Sequence, residues 1–240
     1  MLEVNKIHKG DTFKLLDEID DGSIDLLFTD PPYNVSVKGT KMAYGHGRTG
    51  MDFGDWDYGF DTEAWMRKVL PKINPETGQA LIFNSYLNME LMARIAEEMG
   101  YIVRGLQYWY KTNPVPQMPN RLPLNALEEA LWITATDTFT FNVRDGRKAE
   151  DGRYEASPHE DQGRRFHTTQ KPFSIWLEIM RVHSNKGELI LDTFSGSGVT
   201  AVSADELRRN FIGFEMDNTY HEKSTKRHQK HRRKARSLWV

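Results

Sequence analysis

The segment Asp30-Pro31-Pro32-Tyr33 directly follows a short apolar run, residues 23–29, that predicts a buried strand. Two consecutive prolines remove two backbone donors, so the turn mainly offers acceptors: the Asp30 carboxylate and the Pro31 carbonyl. Tyr33 adds an aromatic face beside them. This set suits a planar ring that carries an amino group, because the acceptors bind the amino hydrogens while the ring stacks on tyrosine. The alternative is a proline-stiffened strand end without chemistry.

A second segment, residues 188–201, predicts a strand, a glycine turn and the start of a helix. Gly196 and Gly198 allow a tight turn and the close approach of a ligand, and Ala201 completes a Gly-x-Gly-x-x-Ala spacing. Glu215 ends the next predicted strand, 23 residues after Asp192, where an acidic side chain can accept both ribose hydroxyls. The segment therefore indicates a nucleoside site, with an ordinary strand–helix turn as the alternative.

The position of this turn restricts both the nucleoside and the fold. Only 44 residues follow Gly196, too few for the second mononucleotide-binding half that a nicotinamide dinucleotide needs. Most of the sheet must therefore come from the N-terminal part of the chain, in a circularly permuted order. Phe194 places a bulky side chain where a pyrophosphate would need space, so a smaller nucleoside such as S-adenosylmethionine fits better.

The elements that must position these turns alternate between strand and helix patterns. This alternation predicts an α/β fold, a parallel sheet with helices on both faces. The predicted strands cover residues 3–8, 23–29, 80–83, 101–111, 130–135, 188–191 and 211–214. The predicted helices cover residues 14–19, 89–99 and 200–209, and a further helix, capped by Asp61, runs through Trp65 and Val69.

Composition excludes several classes of protein. The chain has 240 residues and no cysteine, which suits one domain and excludes disulfides, thiolate metal sites and a cysteine nucleophile; no metal site is predicted. No apolar run approaches the ~20 residues that span a bilayer. The first ten residues lack the apolar core of a secretory signal. We therefore expect no membrane contact and a cytoplasmic location.

Basic residues concentrate near the C-terminus. Residues 223–236 hold eight Lys or Arg and no acid, whereas the rest of the chain has 24 Lys and Arg against 34 Asp and Glu. We expect residues 221–240 to form a basic, helical tail that contacts a polyanion. Helical spacing places five basic residues near one face of this helix: Lys223, Lys226, Arg227, Lys230 and Lys234. A solvated terminal helix is the alternative.

Three motifs together resemble those of the amino-group DNA methyltransferases: residues 30–33, Phe194-Ser195-Gly196-Ser197-Gly198 and His167-Thr168-Thr169-Gln170-Lys171-Pro172. Their order, with a variable region between the first motif and the others, is similar to the beta group of this family, and the resemblance covers about residues 3–220. It implies a Rossmann-like S-adenosylmethionine-dependent methyltransferase sheet, circularly permuted, with a small recognition insert. It also implies three partners: DNA, a second copy in a homodimer and a cognate restriction enzyme.

The resemblance implies roles for individual residues. The catalytic turn that holds a flipped base corresponds to Asp30, Pro31, Pro32 and Tyr33. Glu215 corresponds to the ribose-binding acid and Asp11 to an acid near the cofactor adenine. The other positions assigned to the cofactor site are Asp30, Thr168, Lys171, Asp192, Phe194, Ser195, Gly196, Ser197, Gly198 and Thr200. Thr168 and Lys171 match positions near the methionine part, although Thr168, like Thr193, stands where such sequences often have proline.

The absence of cysteine also excludes methylation at carbon-5 of cytosine, which needs a covalent cysteine adduct. An exocyclic amino nitrogen can attack a sulfonium methyl directly, with Asp30 as an orienting acceptor rather than a strong base. Within the resembled family an aspartate at the first motif position usually accompanies adenine and a serine accompanies cytosine, so we predict N6-methylation of adenine in DNA. The alternatives are a cytosine-N4 DNA methyltransferase, a protein-glutamine methyltransferase and a catalytically inactive nucleotide-binding regulator.

Two stretches outside the predicted elements are expected to contact DNA. The glycine-rich residues 34–60 are placed to close over a flipped base, with phosphate-binding capacity at Lys38, Lys41 and Arg48. Within a single methyltransferase domain, 1–240, residues 112–165 are predicted to be the target-recognition region. Its expected DNA-binding residues are Arg144, Arg147, Lys148, Arg153, Arg164 and Arg165, because arginine is the commonest reader of guanine edges. A loop without DNA contacts is the alternative for each stretch.

Overall fold

Strands and helices alternate along the part of the chain that the structure, a computed structural model, describes: residues 1–36, 57–114, 123–144, 151–160, 165–167 and 169–237. The strands are β1 (Lys6–Lys9), β2 (Leu26–Thr29), β3 (Gln79–Asn84), β4 (Ile102–Lys111), β5 (Leu127–Thr134), β6 (Arg153–Ala156), β7 (Leu189–Asp192) and β8 (Asn210–Glu215). The α-helices are α1 (Thr12–Leu15), α2 (Thr62–Val69), α3 (Tyr86–Glu98), α4 (Phe173–His183), α5 (Val199–Leu207) and α6 (Asn218–Ser237).

These eight strands form one sheet in the order β1-β8-β7-β2-β3-β5-β4-β6. The first five in this order run parallel, β5 runs antiparallel to both of its neighbours, and β6 pairs parallel with β4. The predicted α/β sheet is therefore confirmed as mainly parallel and is corrected at β5. Because β4 and β5 are adjacent in the sheet and have no helix between them in the described residues, they need no crossover and can pair antiparallel.

The late strands β7 and β8 lie between β1 and β2, so the circularly permuted order predicted from the late glycine turn is confirmed. From β7 the chain passes through α5 to β8 on one side, and from β2 it passes through α2 to β3 on the other side. The carboxyl ends of β7 and β2 therefore flank the topological switch point. Ligands of open α/β sheets bind in the crevice at this point.

Helices cover both faces of the sheet, and each face has its own apolar core. On one face, α2 and α3 pack against the sheet around Trp65 and Leu27. On the other face, α4 and α5 pack against Phe28 and Phe83, where the Trp176 ring stacks on both phenylalanines with centroid distances of 4.4 and 5.1 Å. Adjacent residues of β2 thus serve opposite cores, as the two-residue period of a strand requires.

Local signals in the sequence agree with the ends of two helices. Asp61 caps α2, because its carboxylate accepts a hydrogen bond from Ala64 N at 2.9 Å. Gly100 follows α3 with a φ of +87°, the left-handed conformation that commonly ends a helix. In the described part of the chain, no helix is both long and apolar enough to cross a membrane.

The sequence patterns did not predict α4 and β6. The signal for α4 was available, because Pro172 precedes an apolar run in which Ile175, Trp176, Ile179 and Met180 recur at helical spacing. The signal for β6 was weaker, since the strand has four residues and buries only two of them, Tyr154 and Ala156.

The predicted recognition region, residues 112–165, is built into the sheet. It contains β5, which lies inside the sheet between β3 and β4, and β6, which forms the edge beside β4. The described parts that lie outside these strands are residues 112–114, 123–126, 135–144, 151–152, 157–160 and 165. Any recognition surface in this region therefore rests directly on the central sheet.

Candidate active site

Both sequence motifs lie at the switch point. Residues 30–33, here called the proline turn, follow β2, and residues 193–198, here called the glycine turn, follow β7. A hydrogen bond joins the two strand ends, because Thr29 Oγ1 donates to Asp192 Oδ1 at 2.9 Å. The Thr193 hydroxyl lies 3.3 Å from the same Thr29 oxygen. The two turns are therefore adjacent, as a single site requires.

Two side chains hold Asp30. The Tyr33 hydroxyl donates to Asp30 Oδ1 at 2.6 Å, and Lys171 Nζ donates to Asp30 Oδ2 at 2.7 Å. Lys171 Nζ also lies 3.3 Å from the Tyr33 hydroxyl and 5.4 Å from the centre of its ring. Each Asp30 oxygen keeps a further lone pair, so the carboxylate can accept additional hydrogens. Tyr33 thus orients Asp30, whereas the sequence analysis assigned its ring to stacking on a base.

Lys171 bridges two carboxylates and is almost fully buried. Its Nζ lies 2.7 Å from Asp30 and 2.9 Å from Glu128 Oε2 in β5, and 7% of its side chain is exposed. Glu128 Oε1 lies 2.9 Å from Lys111 Nζ in β4. The sequence analysis predicted neither Glu128 nor Lys111, because only the sheet brings β4 and β5 to the proline turn.

Burial and charge act against each other in this cluster. Burial raises the pKa of Asp30, and the charge of Lys171 opposes this only in part. Burial alone would lower the pKa of Lys171, but Asp30 and Glu128 outweigh it and raise that pKa above its ordinary value. Burial would raise the pKa of Glu128, but Lys171 and Lys111 lower it to about 2. Burial, and then the charge of Asp30, raise the pKa of Tyr33. At neutral pH, Lys171 and Glu128 are therefore charged and Tyr33 is neutral.

A buried carboxylate that the sequence analysis missed fixes the backbone after the proline turn. Asp57 is 1% exposed. Its Oδ1 accepts the backbone N–H groups of Tyr33 and Asn34 at 2.7 and 3.0 Å. Its Oδ2 accepts those of Val35 and Ser36 at 3.1 and 2.9 Å, and the Ser36 hydroxyl at 2.7 Å. Asp57 thus ties the proline turn to the chain that enters α2.

Helix α3 supports the proline turn from the neighbouring strand. Asn88 Nδ2 donates to the Tyr33 carbonyl at 2.8 Å and to Asn84 Oδ1 at 2.7 Å. The Ser85 N–H donates to the same Asn84 oxygen at 2.8 Å. The end of β3 and the first turn of α3 therefore position the Tyr33 main chain.

Asp192 and Thr200 support the glycine turn from inside the protein. Thr200 Oγ1 donates to Asp192 Oδ2 at 2.5 Å, and Trp176 Nε1 donates to Thr200 Oγ1 at 2.7 Å. The Phe194 N–H donates to Asp192 Oδ1 at 3.2 Å. Burial raises the pKa of Asp192 to about 6. Asp192 and Thr200, which are predicted to belong to the cofactor site, shape the glycine turn through these hydrogen bonds.

The two glycines allow protein groups to pack closely. Gly196 and Gly198 have positive φ angles of +46° and +71°, a region that favours glycine. A Cβ atom at Gly198 would lie 2.9 Å from Ser224 Cβ in α6, and one at Gly196 would lie 3.2 Å from His167 Nε2. Burial, and then the charge of Lys171, lower the pKa of His167 to about 4, so this ring is neutral at pH 7. The two glycines, predicted to allow the close approach of a ligand, therefore also allow His167 and α6 to pack against the turn.

Backbone contacts complete the glycine turn. The Ser195 N–H donates to the Phe214 carbonyl at 2.8 Å, and Arg227 of α6 donates to the Ser197 carbonyl at 3.2 Å. Phe194 makes edge contacts with the rings of Phe60 and Trp65, at centroid distances of 5.3 and 5.7 Å.

Glu215 and Asp11 lie side by side at the ends of β8 and β1. Glu215 Oε2 accepts the Gly196 N–H and Oε1 accepts the Asp217 N–H, both at 2.8 Å. Burial raises the pKa of Glu215 to about 7. The Gly10 N–H donates to the Glu215 carbonyl at 3.0 Å, and Asp11, the next residue, caps α1. The two acids predicted to bind a nucleoside are therefore brought together beside the glycine turn.

Three of the predicted DNA-binding arginines lie in the described residues. Arg144 stacks over the Tyr154 ring at 4.5 Å and donates to the Arg153 carbonyl at 3.2 Å. Arg165 donates to the Pro158 carbonyl at 2.7 Å. Arg153 is exposed at the edge of the sheet, 4.6 Å above the Tyr110 ring. The other predicted DNA-binding positions lie outside the described residues: Lys38, Lys41, Arg48, Arg147, Lys148 and Arg164. Thr168, which is predicted for the cofactor site, also lies outside them.

Helix α6 separates its basic residues between two faces. The exposed side chains include Lys223, Lys226, Lys230 and Arg233. Arg227, which the sequence analysis placed on the same stripe, is half-buried and reaches the glycine turn instead. The predicted stripe is therefore corrected at Arg227, since helical spacing alone does not show which face of a helix packs on the protein. The side chain of Lys234, also predicted for the stripe, lies outside the described side chains.

The sheet order and the two turns at its switch point define a Rossmann-like nucleoside-binding enzyme. A family model described as DNA methylase matches residues 24–226, a range that contains both turns and Glu215. The chain therefore belongs to the DNA methylase family of N6 and N4 methyltransferases.

Named proteins share this similarity over most of the chain. The type II methyltransferase M.HinfI of Haemophilus influenzae is 30% identical over 246 residues, covering 93% of this chain and 68% of that protein. The type II methyltransferase M2.DpnII of Streptococcus pneumoniae is 30% identical over 230 residues, covering 88% and 84%.

Solved methyltransferase structures are also similar to this chain over most of its length. The complex of M1.HpyAVI with SAM is similar with a TM-score of 0.74 and 28% identity, covering 92% of this chain and 98% of that chain. The cytosine-N4-specific PvuII DNA methyltransferase has a TM-score of 0.71 at 18% identity, covering 91% and 84%, a likeness that supports the fold alone.

Proposed function

We propose that this protein transfers the methyl group of S-adenosylmethionine to the exocyclic amino nitrogen of adenine in DNA. The observation that carries the proposal is the hydrogen bond between Thr29 and Asp192, which holds the acceptor group of the proline turn beside the glycine turn. Membership of the DNA methylase family supports DNA as the substrate. The SAM complex of the similar M1.HpyAVI supports the cofactor.

The residues beside the glycine turn fit this cofactor. A carboxylate has about four lone-pair sites. The described backbone donors use one on each Glu215 oxygen, so the remaining sites can accept two ribose hydroxyls. Asp11 follows the adjacent strand β1, next to Gly10, which bonds the Glu215 carbonyl; this position supports its proposed role near the adenine. When bound, the cofactor supplies a methyl group on a positively charged sulfur.

Asp30 is the group that we propose to act on the target nitrogen. Its carboxylate accepts a hydrogen of the amino group, which orients the nitrogen lone pair for in-line attack and requires no covalent intermediate with the protein. Tyr33 and Lys171 hold the carboxylate in one orientation. After transfer the nitrogen carries a positive charge, and its proton passes to Asp30, whose raised pKa favours proton uptake.

Adenine is proposed over cytosine because the first residue of the proline turn is aspartate. The amino group of either base lies inside the duplex, so the base must swing out of the stack to reach Asp30, at a cost of a few kcal/mol. The proline turn lies at the open carboxyl edge of the sheet, where such a base can enter.

One experiment distinguishes the candidate activities. The purified protein is incubated with methyl-labelled S-adenosylmethionine and genomic DNA that lacks modification, and the hydrolysed nucleosides are identified by mass spectrometry. We expect N6-methyladenine. Labelled N4-methylcytosine would identify cytosine as the target base. In a parallel reaction with an added protein substrate, label in that protein would indicate a glutamine methyltransferase. Cofactor binding without any transfer would contradict an enzymatic function.

We propose that DNA lies across the carboxyl edge of the sheet. Recognition would come from residues 112–165, where Arg153 is an exposed arginine that pairs with Glu155 at 2.8 Å and would exchange this partner for a base edge. Helix α6 would add a stripe of phosphate contacts through Lys223, Lys226, Lys230 and Arg233.

The stripe has its own test. Changing Lys223, Lys226 and Lys230 to Gln should weaken DNA binding and flatten the slope of log affinity against log salt by up to about 2 to 3, with site preference unchanged. An identical slope would show that α6 is a solvated helix.

The names of the relatives suggest further partners. M.HinfI and M2.DpnII are both type II methyltransferases, and we propose a cognate restriction enzyme for this protein as well. We also propose a homodimer and action on DNA in the cytoplasm. Sedimentation of the purified protein tests the dimer.

A further inference from the structure

Four charged side chains from four separate elements form a continuous chain at the proline turn. Asp30 follows β2, Lys171 precedes α4, Glu128 lies in β5 and Lys111 lies in β4. The successive ion-pair distances are 2.7 Å from Asp30 to Lys171, 2.9 Å from Lys171 to Glu128 and 2.9 Å from Glu128 to Lys111. Their side chains are 7 to 21% exposed, so solvent screens these charges only weakly.

We infer that Glu128 is a positioning residue that acts through Lys171 to set the charge and the orientation of the Asp30 carboxylate. This inference rests on the proposed function, in which Asp30 accepts a hydrogen and then the proton of the target amino group. No contact of Glu128 with DNA or cofactor is part of it.

The physical reason is the competition for one ammonium group. With Asp30 as its sole partner, Lys171 would hold that carboxylate as tightly as a buried pair allows and would reduce its strength as an acceptor. It would also place an uncompensated positive charge beside a nitrogen that becomes positive during transfer. Glu128 attracts Lys171 from the other side and offsets its charge, which leaves Asp30 oriented and still able to accept a hydrogen.

The surrounding groups define what a titration of Asp30 would report. Besides the four members of the chain, the titratable groups that act on Asp30 or on its direct partners are Tyr33 in the proline turn, Glu129 in β5, Asp192 in β7 and His167 before α4. Among these, Tyr33, His167 and Asp192 are unchanged in every variant described below, so a difference between variants reports the changed charge.

Two substitutions should shift the pKa of Asp30 in opposite directions. Glu128→Gln removes a negative charge that is near Asp30, so the pKa of Asp30 should fall by about one pH unit. Lys111→Met keeps the apolar stem but removes the positive charge that neutralises Glu128, so the pKa of Asp30 should rise. A purely structural role of Glu128 predicts no such reversal between the two variants.

The Asp30 titration can be measured directly by carbon-13 NMR of protein labelled at the aspartate carboxyl groups, with the Asp30 signal assigned by its loss in Asp30→Asn. The pH dependence of kcat provides the second readout, because an Asp30 that must be ionised limits the rate at low pH. The acidic limb of kcat should move down in Glu128→Gln and up in Lys111→Met. At the optimum, Glu128→Gln should lose about tenfold or more in kcat, while KM for the cofactor changes little.

The adjacent Glu129→Gln is the matched control. Glu129 is also a half-buried glutamate of β5, but the alternation of a strand points it away from the face that carries Glu128. Glu129 acts on Tyr33 through its charge but has no ion pair with Lys171 among the described residues, so its substitution should move the acidic limb of kcat much less than Glu128→Gln does. Melting curves and cofactor affinity show whether each variant is folded, and Lys111→Met tests the inference independently if Glu128→Gln fails to fold.

The outcomes separate this inference from the proposed function. Unchanged Asp30 titration in both variants, or shifts in the same direction, would overturn the role of Glu128 even in a fully active methyltransferase. Opposite shifts of the titration without any change in the kcat profile would support the charge chain and contradict the proposed role of Asp30 in transfer.

Discussion

The glycine turn and the proline turn lie side by side but are supported in different ways. In the glycine turn, Asp192 bonds Thr200 and Gly196 bonds Glu215, partners that lie within 19 residues of each other. The proline turn depends on residues that are distant in sequence. Asp57, Asn88 and Lys171 lie 21 to 141 residues from the groups they bond, and Glu128 reaches Asp30 only through Lys171.

This difference separates two kinds of function. The glycine turn takes most of its support from the segment that follows it, up to Arg227 of α6, so its binding of a cofactor depends mainly on that segment. A turn that depends on side chains from β3, β5 and the segment before α4 responds to the arrangement of the whole site. Variants of the proline turn and its supports should therefore change methyl transfer, whereas variants of the glycine turn should change cofactor affinity.

The largest effect is expected at Asp30. Asp30→Asn keeps the shape of the side chain but removes its charge, so it can neither balance Lys171 nor take a proton. We expect a loss of about 1000-fold in kcat, with cofactor affinity within about twofold of the wild type. Asp30→Ala should behave in the same way but with an additional loss of stability, because it leaves Lys171 buried with one carboxylate fewer.

Single-turnover rates and calorimetric cofactor binding measure the two quantities separately. Asp25→Asn, at the other end of β2, is the matched control, because Asp25 accepts the Leu189 N–H at 2.8 Å and lies away from the site. Near-normal turnover in Asp30→Asn would refute the proposed mechanism.

Gly198 should show the reverse behaviour. Gly198→Ala places a Cβ atom 2.9 Å from Ser224 Cβ and forces alanine into a left-handed conformation. We expect cofactor affinity to fall about 30- to 100-fold, in line with a strain of about 2 to 3 kcal/mol. Saturating cofactor should restore most of the transfer rate, because the proline turn does not depend on this residue.

Gly187→Ala controls for backbone strain alone. Gly187 also has a positive φ, +88°, but a Cβ atom there would meet nothing within 4 Å. This variant should be less stable and bind the cofactor normally. Equal losses of affinity in the two variants would show that general strain, rather than the packing of α6 on the glycine turn, determines the binding.

Asp57 should show a smaller effect of the same kind as Asp30. In the wild type, both carboxylate oxygens of Asp57 accept backbone N–H groups. Asp57→Asn replaces one of these oxygens with an N–H₂ group, which cannot accept them, so the hydrogen bonds to that oxygen are lost. We expect kcat to fall about 10- to 30-fold with little change in cofactor affinity. Asp61→Asn, a nearby cap of α2 where asparagine also caps well, is the control. A weakened cofactor affinity as the main effect would remove the distinction between the two turns.

The same contrast explains what could be predicted from the sequence. The strand–turn–helix pattern, Gly198 and the spacing to Glu215 lie within 28 residues, so a local pattern contains most of the glycine turn and its supports. The late position of this pattern also predicted the permuted sheet. In contrast, the hydrogen bonds that use Asp192 and Thr200 inside the protein have no signature in the sequence, because an acid that binds a ligand and one that binds a threonine look alike.

The supports of the proline turn could not be predicted for a different reason. Glu128 and Lys111 become neighbours of Lys171 because β5 runs antiparallel between β3 and β4, and the analysis of strand patterns expected a parallel sheet. Asp57 lies in a stretch without regular period, where an aspartate is most often exposed. Contacts that depend on strand order and direction are known only after the sheet is known.

The smallest predicted effect concerns pH and sharpens the comparison at Glu215. Burial raises the pKa of Glu215 to about 7, and an ionised carboxylate accepts ribose hydroxyls more strongly than a protonated one. Cofactor affinity should therefore rise as pH increases through this value, by about tenfold between pH 6 and pH 8, and level off above it. The same raised pKa means that ionisation costs the free protein stability, so bound cofactor should protect against unfolding more at pH 8 than at pH 6.

Isothermal titration at several pH values in Glu215→Gln identifies the group responsible. This variant should bind the cofactor weakly and with little dependence on pH. Burial also raises the pKa of Asp192, to about 6, which lies close to the same range. If the dependence on pH persists in Glu215→Gln, it arises from Asp192, and the support inside the glycine turn would then control cofactor binding more than the acid that faces the ribose.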